Sequence, residues 1–289
     1  MRKPLFTGVC TALVTPFQND SVNYQMIETL LQRQIDAGVR AVVVAGTTGE
    51  SATLSDTEKV ELFRKCKAYT KDNCLMIAGT GSNSTAHSIE LSIAAQEAGA
   101  DAVLVVSPYY NKATPAGLYK HYCAISESIN IPIIIYNVPP RTGVDIPVAV
   151  YQQLCQLEDV VGVKEASADI TKIARIRNTC GDEFSIWSGN DDQVIPSMAL
   201  GGQGVISVVS NIKPVTTVRM TTAALSGDYK TAGNIQCQLL PLIDALFCEV
   251  NPIPVKTAMK LIGLDCGACR LPLCEMDEKN FLKLKQVLM

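Results

Sequence analysis

The chain has little of what metal, nucleotide, nucleic-acid and membrane proteins rely on. Histidine occurs only twice, at His87 and His121. Charged residues make up 18% of the chain, the net charge is −3 and the pI is near 5.5, so there is no basic footprint for nucleic acid. The longest apolar runs are strand-sized and none reaches the length of a membrane span. Met1-Arg2-Lys3-Pro4-Leu5 meets polar residues before an apolar signal core can form. A cytoplasmic protein is the expectation, and the sequons at Asn19 and Asn83 then carry no meaning. A dinucleotide fold would show Gly-x-Gly-x-x-Gly after its first strand, and a P-loop would show Gly-Lys-Ser/Thr; Gly46-Thr47-Thr48-Gly49-Glu50 supplies neither. There is no internal repeat and no low-complexity segment.

Apolar residues, by contrast, make up 47% of 289. That is enough for one large domain or two smaller ones. The eleven cysteines are odd in number and irregularly spaced, which argues against a secreted disulfide framework. Several, such as Cys10, Cys66 and Cys123, sit inside apolar segments, where a reduced thiol behaves as a small hydrophobe. Cys266-Gly267-Ala268-Cys269, followed by Cys274, has the C-x-x-C spacing of a redox or metal site. A closed zinc site needs four ligands, and both histidines are far away in sequence, so these read as loop cysteines.

Short apolar runs recur at Gly8–Leu13, Ala41–Ala45, Leu75–Ala78, Ala102–Val106, Ile131–Tyr136, Val160–Lys164, Ser185–Ser188 and Gly204–Val208. Helix-period segments lie between them: Tyr24–Ala37, one capped by Ser55 and running through Tyr69, Thr85–Ala98, Pro115–Ser128, Ile146–Cys155 and Asp169–Thr179. Glu58 completes a capping box with Ser55, and Gly38 and Gly99 close the helices before them. Strands alternating with helices every twenty to thirty-five residues or so predict a parallel sheet. A doubly wound sheet is the rival. A closed (β/α)8 TIM barrel is favoured because the runs number eight. The conspicuous polar residues, Thr15, Thr47, Thr48, Glu50, Tyr110, Tyr136, Asn137, Arg141, Lys164, Glu165 and Ser188, also fall at strand C-terminal ends or just beyond. Residues 1–225 are assigned to the barrel and 226–289 to a C-terminal helical extension, with helices predicted over Lys213–Leu225, Asp228–Phe247, Pro254–Ile262 and Asp277–Leu288.

Lys164 ends an apolar strand. A desolvated lysine gives up its proton more readily, and its neutral amine can attack a carbonyl; a lysine that merely snorkels to solvent is the alternative. Strand parity puts Val43, Ala45 and Thr47 on one face, Ile134 and Tyr136 on another, and Val160, Gly162 and Lys164 on a third. If those faces point inward, Thr47, Tyr136 and Lys164 meet at the barrel mouth. The glycines of Gly46–Ser51 let backbone N–H groups approach an anion, though an ordinary capped turn has the same composition. Pro139 and Pro140 stiffen the loop that carries Arg141, whose planar fork suits a carboxylate.

Taken together, Gly46–Ser51, Pro108-Tyr109-Tyr110, Tyr136–Gly143, Val163–Ser167 and Gly189-Asn190-Asp191 resemble the motif set of the dihydrodipicolinate synthase family, in the family's order, from about Leu5 onward. The wider pyruvate aldolase and lyase superfamily shares the lysine, the tyrosine and a Gly-x-Thr-Gly-Glu loop; Arg141-Thr142-Gly143 is the discriminating feature. The resemblance implies that Lys164 forms a Schiff base with pyruvate, that Thr47 and Thr48 hold its carboxylate, and that Tyr136 and Thr47 relay protons. It implies that Tyr110 completes the relay in a neighbouring subunit, that Arg141 binds L-aspartate 4-semialdehyde, and that backbone carbonyls of Gly189 and Ile206 line the site. It further implies a homotetramer, at least a dimer, with no metal, cofactor, nucleic-acid or membrane partner. N-acetylneuraminate lyase, or a related pyruvate-dependent keto-acid aldolase, is the alternative activity; a non-catalytic keto-acid binder is a third reading, but no catalytic part is missing.

Members inhibited by lysine bind it at positions matching Ser51, Ala52, Asp56, Lys59, Asn83, His87 and Tyr109. Asp56 and Lys59 stand where sensitive members have histidines, and His87 stands where they have a glutamate. A histidine cannot pair with the inhibitor's ammonium, so weak or absent inhibition is expected. Plain solvated helix surface is the other reading of these positions.

Overall fold

The computed structural model describes residues 3–288. Eight parallel strands form a closed barrel: β1 (Gly8–Ala12), β2 (Ala41–Val44), β3 (Leu75–Gly79), β4 (Ala102–Val106), β5 (Ile133–Asn137), β6 (Val160–Glu165), β7 (Ser185–Ser188) and β8 (Gly204–Ser207). Each pairs with its sequence neighbours, and β1 closes the ring on β8 with Gly8 opposite Gly204. The closure is tight: a Cβ on Gly204 would lie 1.9 Å from the Gly8 carbonyl oxygen, at a φ of 146° that favours glycine.

Helices α1 (Tyr24–Asp36), α2 (Asp56–Thr70), α3 (Thr85–Glu97), α4 (Pro115–Ser126), α5 (Val148–Leu154), α6 (Ile170–Cys180), α7 (Val194–Ala199) and α8 (Pro214–Leu225) surround the strands. The Ser55–Glu58 capping box forms as the sequence predicts. Gly38 and Gly99 take φ values of 79° and 88°, turning the chain out of α1 and α3 toward the next strand. Helix α7 escapes the periodicity reading: it is six residues long, mostly buried and carries Pro196 in its first turn.

Two apolar layers result. The outer one lies between strands and helices. The inner one fills the barrel with Cys10, Ala41, Val43, Ile77, Leu104, Ile134, Tyr136, Trp187 and Ile206. Phe6 plugs the interior, stacked on Trp187 at 4.6 Å between ring centres, and its carbonyl accepts the indole N–H.

Two details of the parity reading need correction. Register slips between β5 and β6, so Ile133 pairs with Val160 but Ile134 pairs with Gly162. Val160 therefore belongs to the outer layer, while Gly162 and Lys164 keep the inner face. At β2 the strand stops at Val44; Ala45 turns left-handed at φ 52° and joins the outer layer. Thr47 thus reaches the mouth by a turn rather than by strand alternation.

After α8 come α9 (Tyr229–Leu246), α10 (Ile253–Leu261) and α11 (Glu278–Leu288). Their connections return to the barrel mouth. Arg270 donates to Glu58 at 2.6 Å, to Asp20 at 3.0 Å and to the Thr53 carbonyl at 3.1 Å. Its hydrogen bonds and charge hold the Glu58 carboxyl down at about 2. No helix of the described residues is long and apolar enough to cross a membrane.

Candidate active site

The C-terminal ends of the strands open into a cleft of about 630 Å³ whose wall includes Thr47, Tyr136, Arg141, Asn251 and Leu273. Lys164 sits on the inner face of β6 and is only 6% exposed. It is in register with Tyr136 on β5 and Trp187 on β7. Its Nζ lies 4.3 Å from the centre of the Tyr136 ring. A cation there gains from the ring's negative face, and a neutral amine keeps the same close approach to the aromatic. The lysine stem has room only because residue 189 is glycine: a Cβ there would lie 3.1 Å from Lys164 Cε and 2.6 Å from the Ala166 Cβ. A backbone hydrogen bond from Gly189 N to the Glu165 carbonyl, at 2.7 Å, fixes that approach.

The Gly46–Glu50 loop is built under backbone constraint. Ala45 and Glu50 both adopt left-handed φ, at 52° and 57°, a conformation that non-glycine residues hold only when their surroundings enforce it. The enforcing contacts are visible. Thr15 Oγ1 donates to the Gly49 carbonyl at 2.7 Å. Glu50, which is buried, accepts from Lys256 Nζ at 2.8 Å and from the Arg270 backbone N–H at 2.9 Å. Thr48 is buried and its hydroxyl accepts from Asn251 Nδ2 at 2.9 Å. Thr47 is half-buried on the cleft wall.

Arg141 lies on a four-residue helical turn, Pro139–Thr142, closed by Gly143 at φ 69°. Its guanidinium is exposed at the rim, and Nη2 donates to the Asn251 carbonyl at 3.2 Å. Asn251 thus touches both loops that carry candidate carboxylate anchors. No local pattern announces this, because the residue sits 110 positions from Arg141 and 203 from Thr48.

Of the other predicted site residues, Ile206 lines the barrel interior at 1% exposure. Tyr110 does not join this site: it is 90% exposed, at φ 73°. Ser51, Ala52, Asp56, Lys59, His87 and Tyr109 share the cleft wall with Tyr136 and Arg141. Asn83 stands apart, its carbonyl accepting from Asn111 at 3.0 Å. Within this group His87 Nε2 is 2.9 Å from Asp56, and Lys59 Nζ is 3.4 Å from the same carboxylate. Burial opposes ionisation of Asp56, but the hydrogen bonds and charges of His87 and Lys59 outweigh it and hold the carboxyl below its usual range. At the C-x-x-C segment, burial pushes the Cys266 thiol up to about 12 and Cys269 up to about 11, away from the thiolate that redox or metal chemistry needs.

The profile of the dihydrodipicolinate synthetase family matches residues 5–289. The 4-hydroxy-tetrahydrodipicolinate synthase of Acetivibrio thermocellus is 48% identical over 100% of this chain and 98% of its own. The crystal structure of dihydrodipicolinate synthase from Thermotoga maritima superposes with a TM-score of 0.96 at 42% identity, covering 98% of both chains. The synthase of Cyanidioschyzon merolae, determined with lysine bound, gives 0.96 at 38% identity, covering 99% of this chain and 98% of the other.

Proposed function

Because the chain belongs to the dihydrodipicolinate synthetase family, we propose that it acts as a 4-hydroxy-tetrahydrodipicolinate synthase, joining pyruvate to L-aspartate 4-semialdehyde. The observation that carries this is the buried Lys164 amine facing Tyr136, which lines the same cleft as Arg141.

In this reading Lys164 Nζ attacks the ketone carbon of pyruvate, and water leaves as the imine forms. Loss of a methyl proton gives the enamine, with the iminium nitrogen as electron sink. The enamine carbon bonds to the aldehyde carbon of the second substrate. The amine of that substrate then attacks the imine carbon, closes the ring and releases Lys164. Thr47 and Thr48 hold the pyruvate carboxylate, Arg141 the other, and the two anchors offset the entropy lost in bringing two small anions together. Tyr136 and Thr47 move protons, with Tyr110 reaching the site of a neighbouring subunit. Its exposure on a single protomer supports that role. Backbone at Gly189 and Ile206 lines the lysine. A cytoplasmic homotetramer arranged as a dimer of dimers belongs to the same reading.

The direct test is borohydride reduction in the presence of pyruvate, followed by intact mass and peptide mapping. A pyruvate-derived adduct on Lys164 is expected, and an unmodified protein would overturn the mechanism. A coupled assay with aspartate semialdehyde then separates this activity from that of N-acetylneuraminate lyase.

Arg141→Ala is expected to lower kcat/KM for the semialdehyde by about 10- to 100-fold, the worth of a charge-assisted hydrogen bond, while leaving borohydride trapping of pyruvate intact. Unchanged kinetics would remove Arg141 from the site and reopen the sugar-acid alternative. Added lysine, at concentrations up to millimolar, is expected to leave turnover unchanged: Asp56 is already engaged by His87 and Lys59, and no carboxylate occupies position 87. An inhibition titration with micromolar potency would contradict that.

A further inference from the structure

Directly behind the lysine, on the outer face of the barrel, lies a second pair. Asn137 follows Tyr136, Glu165 follows Lys164, and the two are in register across β5 and β6. Alternation that sends Tyr136 and Lys164 inward sends these two outward. Asn137 Nδ2 lies 2.9 and 3.1 Å from the two Glu165 carboxylate oxygens, and Asn137 Oδ1 accepts from Ile146 N at 3.1 Å. Glu165 also accepts from the Tyr151 hydroxyl at 3.2 Å and from Ser167 N at 2.8 Å. Asn137 Nδ2 further reaches Asp145 at 2.9 Å, and Asp145 pairs with the buried Lys172.

Two physical facts make this pair more than packing. The Glu165 carboxylate is 2% exposed, yet its hydrogen-bond partners among the described residues, Asn137, Tyr151 and Ser167, are all neutral. Burying a carboxylate on neutral donors is a poor way to stabilise a fold, and an apolar pair of the same size would do as well or better. The register between these strands has also already slipped once, between Ile133 and Ile134. A slip of one more residue would turn the amine out of the barrel. On the β7 side Gly162, whose Cβ would lie 2.2 Å from the Ser185 carbonyl oxygen, resists such a slip; on the β5 side the Asn137–Glu165 hydrogen bonds do so.

We propose that Asn137 and Glu165 are positioning residues, a hydrogen-bonded clamp on the outer face that fixes the register in which Lys164 meets Tyr136 inside. Neither touches substrate. The clamp rests on the reading of Lys164 as the Schiff-base lysine. Its geometry is specific: one amide donor faces both carboxylate oxygens, so polarity as well as size matters.

The test compares Glu165→Ala, Glu165→Gln, Asn137→Asp and the double variant N137D/E165Q, each below its own melting temperature. Readouts are kcat, KM for pyruvate and the rate of borohydride-trapped adduct formation. E165A is expected to lose about 100-fold in kcat and trapping rate, the size of a small misplacement of a reacting group, with little change in KM. E165Q keeps an acceptor toward Asn137 and Ser167 and should recover to within about tenfold of the wild type. N137D sets two carboxylates face to face and should be as impaired as E165A. Adding E165Q to it restores a donor–acceptor pair of reversed polarity; the carboxylate at position 137 then also faces Asp145, whose charge the buried Lys172 offsets, and trapping should recover. A merely structural role predicts lower melting temperatures with kcat and trapping unchanged in the folded protein, and that result overturns the clamp. So does an E165Q as impaired as E165A. If the single variants do not fold, the double variant is read alone: folded and trapping within about tenfold of the wild type supports the clamp, folded and inactive overturns it. The wild type is trapped in parallel, so a failure of the Schiff-base reading shows there and a failure of the clamp only in the variants.

Discussion

Lys164→Ala is expected to abolish synthase turnover, with kcat down by about ten-thousandfold or more, as found when a covalent nucleophile is removed from an enzyme. Each tenfold corresponds to about 1.4 kcal/mol of barrier, and no neighbouring group among the described residues can take over. Tyr136 sits beside the lysine but cannot form an imine, and the other buried lysines near the mouth are committed elsewhere, Lys256 to Glu50, Thr15 and Ala268 and Lys59 to Asp56. The variant should fold. The side chain lost is 6% exposed and its amine faces the Tyr136 ring, so the change leaves a small void beside Gly189. Lys164→Arg is the sharper control, because it keeps the charge and loses the nucleophile. Both variants should give no borohydride adduct with pyruvate. An adduct that persists in either would place the imine on a different lysine.

The second large effect concerns stability. Lys256→Met is expected to destabilise the fold by about 3–5 kcal/mol, the range for breaking a buried ion pair on one side. That corresponds to roughly 10 °C in melting temperature for a chain of this size. The Lys256 and Glu50 side chains are 2% and 0% exposed and meet at 2.8 Å. The ammonium also donates to the Thr15 and Ala268 carbonyls at 3.2 and 2.9 Å and lies 4.5 Å from the centre of the Phe17 ring. Without it, the donors left to Glu50 are neutral, the Arg270 backbone N–H and the Cys269 thiol. Adding Glu50→Gln should recover a large part of the loss, since a neutral amide can stay buried where a lone carboxylate cannot. Thermal and urea melts of the three variants check this. A K256M melt equal to wild type would mean that water replaces the ammonium and that the pair is not a buried one in solution.

What could be read from the chain beforehand follows from the range of each interaction. Local chemistry was legible: Ser55 and Glu58 announced a capping box, Gly38 and Gly99 announced left-handed helix exits, and Ala102–Val106 and Ser185–Ser188 were strands to the residue. The barrel followed from counting, and the meeting of Tyr136 with Lys164 followed from alternation. Alternation failed where a strand was irregular. The slip beside Val160 and the left-handed Ala45 leave no mark in a pattern of apolar residues. Partnerships over long separations were invisible. Lys256 looked like any lysine of an amphipathic helix, though it neutralises a glutamate 206 residues away. Asn137 and Glu165 read as two polar residues at strand ends, and only the register makes them a pair.

The contacts of Asn251, Lys256 and Arg270 also have a consequence in time. During synthesis all eight strands and Lys164 precede residue 226, so the barrel and its amine can exist before the ribosome has made the groups that brace the mouth. Thr48, Glu50 and Arg141 acquire these partners only from the last forty or so residues of the chain. In the proposed mechanism, a chain synthesised only as far as residue 250 would hold Lys164 in the barrel while Thr48, Glu50 and Arg141 still lacked the partners that Asn251, Lys256 and Arg270 supply.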